Sequence, residues 1–247
     1  MAEPIILSLE NRVATITINR EERRNALDHV TLDKLNAAFD TCAEQDVTVI
    51  ILHGSGTKAF CAGDDIKAYA ARTKKENRLH HARGLRLFEK IEEHPCLVIA
   101  AIEGFCLGGG MELAISCDYR ICGSSSVFGL PEVRNLGLLP SWGGLTRLPK
   151  ILGLSHTKAL VLMGNRLTSD QALDLGLINE VVDDGKAYEH TLNLATNYAS
   201  EVSRTTVELA KRVILNAYGA PETTARLLNE LADQAQNPHE ILKTNDS

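Results

Sequence analysis

Residues 104–112 read GFCLGGGME. The apolar run CLVIAAI, 96–102, precedes them and LAISC, 113–117, follows. This order predicts a buried strand, a glycine turn and a helix start. Three consecutive glycines let backbone N–H groups approach a ligand with no side chain between. At a helix N-terminus those groups lack intrahelical partners and the helix dipole is positive. Such a turn stabilises an anion. Glu112 lies just inside the predicted helix, so an acid stands beside the anion site. That pairing points to chemistry on a carbonyl, with an oxyanion held by the backbone and a proton moved by the acid. Taken alone, Glu112 also fits the plainer role of a first-turn acid complementing the dipole. A dinucleotide-binding turn shares the strand–turn–helix context. The spacing here is GxxxGGG rather than G-x-G-x-x-G, and no acidic residue closes a following strand.

The chain has 247 residues, which suits one large domain or a core with a small appendage. Apolar residues make up 44% but aromatics only 4%, so Leu, Ile, Val and Ala must build the core. A net charge of −6 argues against a broad nucleic-acid footprint and leaves room for a local basic patch that meets phosphates. Six cysteines (42, 61, 96, 106, 117 and 122) show no CxxC spacing. They read as reduced thiols of an intracellular, cytoplasmic protein. The start, MAEPIILSLE, lacks the basic and long apolar regions of a secretion signal. No run reaches the ~18 apolar residues of a membrane span. The eight histidines form no HExxH or Cys/His cluster, so no metal is expected. No G-x-S-x-G elbow marks a serine hydrolase. His80–His81, in a charged segment, reads as a solvated pair.

From the N-terminus, Ile5–Glu10 and the period-two stretch Arg12–Asn19 predict two strands joined at Asn11. Arg20–Asn25 is a polar loop. Asp28 is placed to cap a helix bearing Leu32, Leu35, Phe39 and Cys42 on one face. Val47–Leu52 reads as a strand and Ala59–Lys67 as a small-residue loop ending in two acids. A helix over 76–93 presents Leu79, Leu85, Leu87, Phe88 and Ile91, and Pro95 stops it. Tyr119–Cys122 is a short strand. Val127–Glu132 enters a loop, with Glu132 either a surface acid or a site residue, and Gly137–Gly144 is a second glycine-rich loop before Leu145–Leu152. Thr168 or Ser169 caps a helix over 171–175 that Gly176 ends. Ile178–Val182 is a last strand. Helices follow, with 202–218 and 221–236 the longest and a polar tail over 237–247.

AFCAGDDIK (59–67), AAIEGFCLGGGMELAISCD (100–118) and FGLPEVRNLGLLPSWGGLTRL (128–148), in that order, resemble the crotonase, or enoyl-CoA hydratase/isomerase, superfamily. NREERRNALD (19–28) and ALDLGLINEVV (172–182) also fit its pattern, so the likeness spans about residues 5 to 182. The resemblance implies an α/β fold: a crotonase core of repeated ββα units over 1–182, followed by a C-terminal helical region over 183–247. It implies trimers or dimers of trimers, an acyl-CoA thioester as substrate, and no cofactor beyond the coenzyme A that the substrate carries. No nucleic-acid or membrane partner is expected. Two backbone N–H groups that hold the thioester oxygen in the family fall here on Asp64 and Gly109. The two glutamates of hydratases map onto Glu112 and Glu132. On this reading Glu132 has the main acid/base role and Glu112 orients the water that adds to a 2-enoyl thioester. Arg24, Ala26 and the segment Ala62–Lys67, including Asp65 and Ile66, match stretches that line the CoA moiety. Arg23, Arg24 and Lys67 are the cations available for its phosphates, or else solvated surface charge.

Keeping both acids favours a hydratase. The alternatives are an isomerase, another enolate reaction (decarboxylation or side-chain cleavage), or a non-catalytic acyl-CoA- or RNA-binding relative. Three departures stand out. Asp64 occupies a position that is commonly small, and an acid beside an oxyanion opposes it unless its side chain points away. Trp142 occupies a loop position that is often small and is placed to shape the acyl pocket. The segment 222–247 lacks the usual acidic-glycine and basic ending that meets a neighbouring subunit's CoA.

Overall fold

Period-two alternation at the N-terminus produces a hairpin. In the computed structural model, which describes residues 3–235, β1 (Ile5–Glu10) pairs antiparallel with β2 (Val13–Ile18). The two connecting residues, Asn11 and Arg12, both take positive φ (48° and 63°), which matches the twist of the flanking strands. From β2 the sheet continues in parallel through β3 (Val49–Gly54), β5 (Leu97–Ile102), β7 (Tyr119–Gly123) and β10 (Glu180–Val182). A second sheet holds β4 (Ala59–Cys61), β6 (Phe105–Leu107), β8 (Val127–Gly129) and β9 (Arg166–Thr168), in that order, with only β9 antiparallel. The strand pairs β3/β4, β5/β6 and β7/β8 each place one strand in each sheet before a helical segment follows. This repeated ββα advance is what brings distant loops to one end of the molecule.

Both faces of the large sheet are covered, as a parallel sheet requires. One face sends Ile16, Ile18, Ile50, Leu52, Val98 and Ala100 into the main core. The alternate residues Val13, Val49, Ile51, Ile99, Ala101 and Ile121 meet Ala187, Ala195 and Ala199 of α7 (Ala187–Glu201). Thus α7, beyond the boundary expected at residue 182, packs directly on the sheet. On the core side α1 (His29–Glu44) is capped by Asp28, which accepts from Thr31 N at 2.8 Å, and buries Leu32, Leu35, Phe39 and Cys42.

Three segments depart from the sequence expectation. The loop ending at Lys67 is already helical: Asp65 accepts from Lys67 N and Ala68 N and starts α2 (Ile66–Ala71). A separate helix, α3 (Lys74–Glu92), begins two residues before the expected 76 because Thr73 and Glu76 form a reciprocal capping box. Its buried face carries His80, Gly84, Leu87, Phe88 and Ile91, whereas Leu79 is exposed. Finally, Phe105–Leu107 is a strand of the second sheet rather than part of the turn, so the turn proper is Gly108 alone, before α4 (Gly109–Ala114).

The remainder follows the turn chemistry. α5 (Gly144–Met163) breaks at Gly153, and α6 (Ser169–Asp174) is capped by Thr168. α8 (Arg204–Ala217) is tied to the core by Lys211, which donates to Asp118 Oδ2 at 2.6 Å and to Cys96 O at 3.0 Å. α9 (Glu222–Ala235) packs on α8. The polar tail expected over 237–247 and residue 236 of the last helix lie outside the described residues.

Candidate active site

The glycine turn can exist only with glycine at Gly108. Its φ of 56° with ψ of −131° is a conformation that side chains avoid, and a Cβ there would lie 2.7 Å from Glu132 Oε1. Gly109 then opens α4, and its N–H has no intrahelical acceptor. Against it lies the turn 62–65, where Gly63 has a φ of 94° and a Cβ would sit 2.8 Å from Gly109 N. This turn is fastened to a neighbouring segment: Leu27 N donates to Gly63 O (2.8 Å) and Asp65 N donates to Leu27 O (3.1 Å). Asp64 N therefore lies on the opposite edge. Among the described residues, Asp64 N and Gly109 N donate to no other group. Two amide donors from distant loops are left unused beside one cavity of about 750 Å³.

Both sequence-identified acids line that cavity. Glu112 is 2% exposed, and its Oε1 accepts from Trp142 N (2.9 Å) and Gly144 N (2.8 Å). Burial pushes its carboxyl above the ordinary range, opposed by those two amides, by Arg147 and by the Ser141 amide. Glu132 starts a π-helical turn, Glu132–Leu136, directly after Pro131. Burial, with a smaller contribution from the Glu112 charge, raises it from 4.5 to about 7. Its Oε2 is buried without a hydrogen-bond partner among the described residues. A carboxyl titrating near neutrality next to a second, firmly anchored carboxyl suits acid/base chemistry.

The third carboxylate, Asp64, does not stand alone. Its Oδ1 accepts from Arg72 Nη2 at 2.7 Å and from His80 Nε2 at 3.0 Å. His80 is therefore not a solvated residue: it is 2% exposed. Its place on the same helical face as Gly84, Leu87 and Phe88 was the signal in the sequence. Trp142, 2% exposed, is wedged between Gly109 and Gly84, at each of which an added Cβ would overlap the indole. Its ring meets His80 and Phe88 edge-on at 5.5 and 5.3 Å. The indole thus forms one wall of the cavity.

A family model described as enoyl-CoA hydratase/isomerase matches residues 8–244. The chain belongs to this family. It is 35% identical over 226 residues to the short-chain-enoyl-CoA hydratase of Clostridium acetobutylicum, covering 91% of this chain and 80% of the relative. It is 42% identical over 182 residues to the crotonyl-CoA hydratase of Syntrophomonas wolfei, covering 73% and 69%. The crystal structure of an enoyl-CoA hydratase from Bacillus anthracis superposes with a TM-score of 0.90 at 33% identity, covering 94% of this chain and 90% of that one.

In this enoyl-CoA hydratase/isomerase family member, the residues expected to meet a CoA thioester separate into two groups. Ala62, Asp64, Ile66 and Gly109 line the cavity. Arg24, Ala26, Asp65 and Lys67 do not. Asp65 is occupied structurally: besides capping α2 it pairs with Arg20 at 3.1 Å. Burial of Asp65 is outweighed by the Ala68 and Lys67 amides and by Arg20, which hold its carboxyl below the ordinary range. Ala26 is buried, and its carbonyl accepts from Arg20 Nη1. Arg24 is exposed, with its guanidinium over Phe105, and its carbonyl accepts from Ala62 N. Lys67 is exposed. Sequence reasoning missed Arg20, Arg72 and the loop amides of Trp142 and Gly144. Backbone donors carry no side-chain signature, and the two arginines sit in polar surroundings where burial leaves no periodic mark. Among the described residues no group of three or more His, Cys, Asp or Glu is placed to hold a metal ion, and no helix is long and apolar enough to cross a membrane.

Proposed function

We propose that the protein is an enoyl-CoA hydratase that adds water reversibly across the 2,3 double bond of a short 2-enoyl-CoA. The observation that carries this reading is the convergence of two unused amides, Asp64 N and Gly109 N, with two carboxyls, the buried Glu112 and the partly buried Glu132, on one cavity. The amides receive the thioester oxygen and strengthen their hold as it becomes an enolate oxygen. Glu112, anchored through Oε1, orients a water over C3. Glu132 in its ionised form takes one proton from that water as the hydroxyl bonds to C3. The π electrons move to the thioester oxygen, and Glu132 returns the proton to C2 as the enolate collapses. One water is consumed and the enzyme is regenerated. No cofactor enters, because coenzyme A arrives with the substrate. Arg24 and Lys67, exposed beside segments that carry the cavity-lining Ala62 and Ile66, are the candidates for its phosphates, with Ile66 shaping the approach and Ala26 and Asp65 fixing these segments through Arg20.

A short acyl chain is supported by the Trp142 wall and by the likeness to a short-chain-enoyl-CoA hydratase and a crotonyl-CoA hydratase. Assembly as a homotrimer or dimer of trimers is supported by exposed apolar residues on the last helices, Ile214, Tyr218, Leu227 and Leu231. A cytoplasmic location is supported by six unpaired, buried thiols. The test is purified protein with crotonyl-CoA, followed by loss of the conjugated-thioester absorbance. Turnover is expected, and acetoacetyl-CoA should raise the melting temperature. No turnover of any short 2-enoyl-CoA, with CoA-ester binding retained, would favour an isomerase or a binding protein.

A further inference from the structure

The residue that offers one oxyanion donor also carries a carboxylate a few bonds away. A bare negative charge there opposes the enolate that its own amide is placed to hold. Arg72 and His80 meet that charge at 2.7 and 3.0 Å, on the same oxygen. We propose that Arg72 and His80 are positioning residues, which neutralise the Asp64 carboxylate and draw it aside so that the Asp64 amide can serve a thioester enolate. The proposal rests on the reading of Asp64 N and Gly109 N as the oxyanion donors.

Three observations support it. First, the two partners are held in place independently of Asp64. Arg72 Nε donates to Ala68 O at 3.1 Å, and its guanidinium lies 5.9 Å from the Tyr69 ring centroid. His80 sits on the buried face of α3 with its ring against Trp142. Second, the bond geometry works at any charge of the histidine. A carboxylate oxygen only accepts, so His80 Nε2 carries the proton that it donates. Third, stability does not explain the cluster. Asp64 Oδ2, Arg72 Nη1 and His80 Nδ1 are all buried without partners among the described residues, and buried polar atoms left unpaired weaken a fold. Charge management at the site gives these groups a use that packing does not.

The test is a double-mutant cycle on the full-length protein. Arg72→Met is made in the natural background and in Asp64→Ala, which sets its own baseline. Each is measured by kcat and KM on crotonyl-CoA, and by calorimetric affinity for acetoacetyl-CoA, an acyl-CoA that readily forms an enolate. With Asp64 present, Arg72→Met should lower kcat about 10- to 100-fold, below the loss typical of removing an oxyanion donor outright, and change KM less than about threefold. In Asp64→Ala the same substitution should change kcat less than about threefold. Acetoacetyl-CoA affinity should follow the same pattern. His80→Phe should repeat it at smaller size, at least about threefold with Asp64 and none without it, and decides the matter if Arg72→Met does not fold. An equal loss in both backgrounds would mean a structural role and overturn the proposal. So would no loss with Asp64 present. If the natural protein turns over no enoyl-CoA, the hydratase reading fails, and the acetoacetyl-CoA cycle alone decides whether the charge at Asp64 is being neutralised.

Discussion

Replacing Glu132 by Gln should stabilise the protein, increasingly as pH rises from about 4.5 to 7 and fully above that. Burial and the neighbouring Glu112 hold the folded-state carboxyl at about 7 against an ordinary 4.5. Between those two pH values the unfolded chain has released this proton and the folded chain has kept it. The folded state then binds more protons, so stability falls as pH rises through this window. The gap corresponds to about 3 kcal/mol when fully developed, above pH 7. Glu132 is only partly buried and solvent screens it, so about 2 kcal/mol is a fair expectation. Gln has no proton to lose and escapes the penalty. The assay is thermal unfolding of both proteins at pH 5 and pH 8. The Gln variant should melt about 4–8 °C higher than the natural protein at pH 8, and nearly level with it at pH 5. An equal difference at the two pH values would refute the idea that this carboxyl is held protonated by its site.

Glu112→Gln should lower crotonyl-CoA kcat by about 100-fold, with CoA-ester affinity retained, because the two loop amides keep an acceptor while the water loses its carboxylate; steady-state kinetics with a binding isotherm checks both. Trp142→Ala should raise the preference for a six-carbon over a four-carbon enoyl-CoA by about tenfold in kcat/KM, since the indole wall is removed from the cavity. Lys211→Met should cost about 3 kcal/mol in urea unfolding, because it strands the Asp118 carboxylate. That group is already raised by burial, which its bonds to Lys211 and Val98 N only partly offset.

Strands with a regular alternation, such as Val13–Ile18, and helices with an explicit cap, such as the one begun by Asp28, could be read directly because their signals are local. The three-residue strands β4, β6 and β8 could not. They owe their existence to partners about 20 to 45 residues away, and GFCL contains nothing that separates a short strand from a glycine turn. Helix α3 shows a different failure. Thr73-Lys-Lys-Glu76 is a capping box in plain view, but the charge around it hid the start of the helix. The same charge made His80 look solvated, although the spacing to Leu87 and Ile91 marked it as inward-facing. At the site, the acids Glu112 and Glu132 were visible as side chains. The carboxylate clamp at Asp64 was not, because it forms only when α2 and α3 fold back over the 62–65 turn.

The proposed reaction is conjugate addition of water with proton delivery to C2 by Glu132. It is tested most directly by running crotonyl-CoA hydration in D₂O with the natural protein and with Glu132→Gln. The natural protein should give 3-hydroxybutyryl-CoA carrying one deuterium at C2, and Glu132→Gln should be slower by about 10³-fold or more. Undiminished turnover by Glu132→Gln, or product without deuterium at C2, would contradict it.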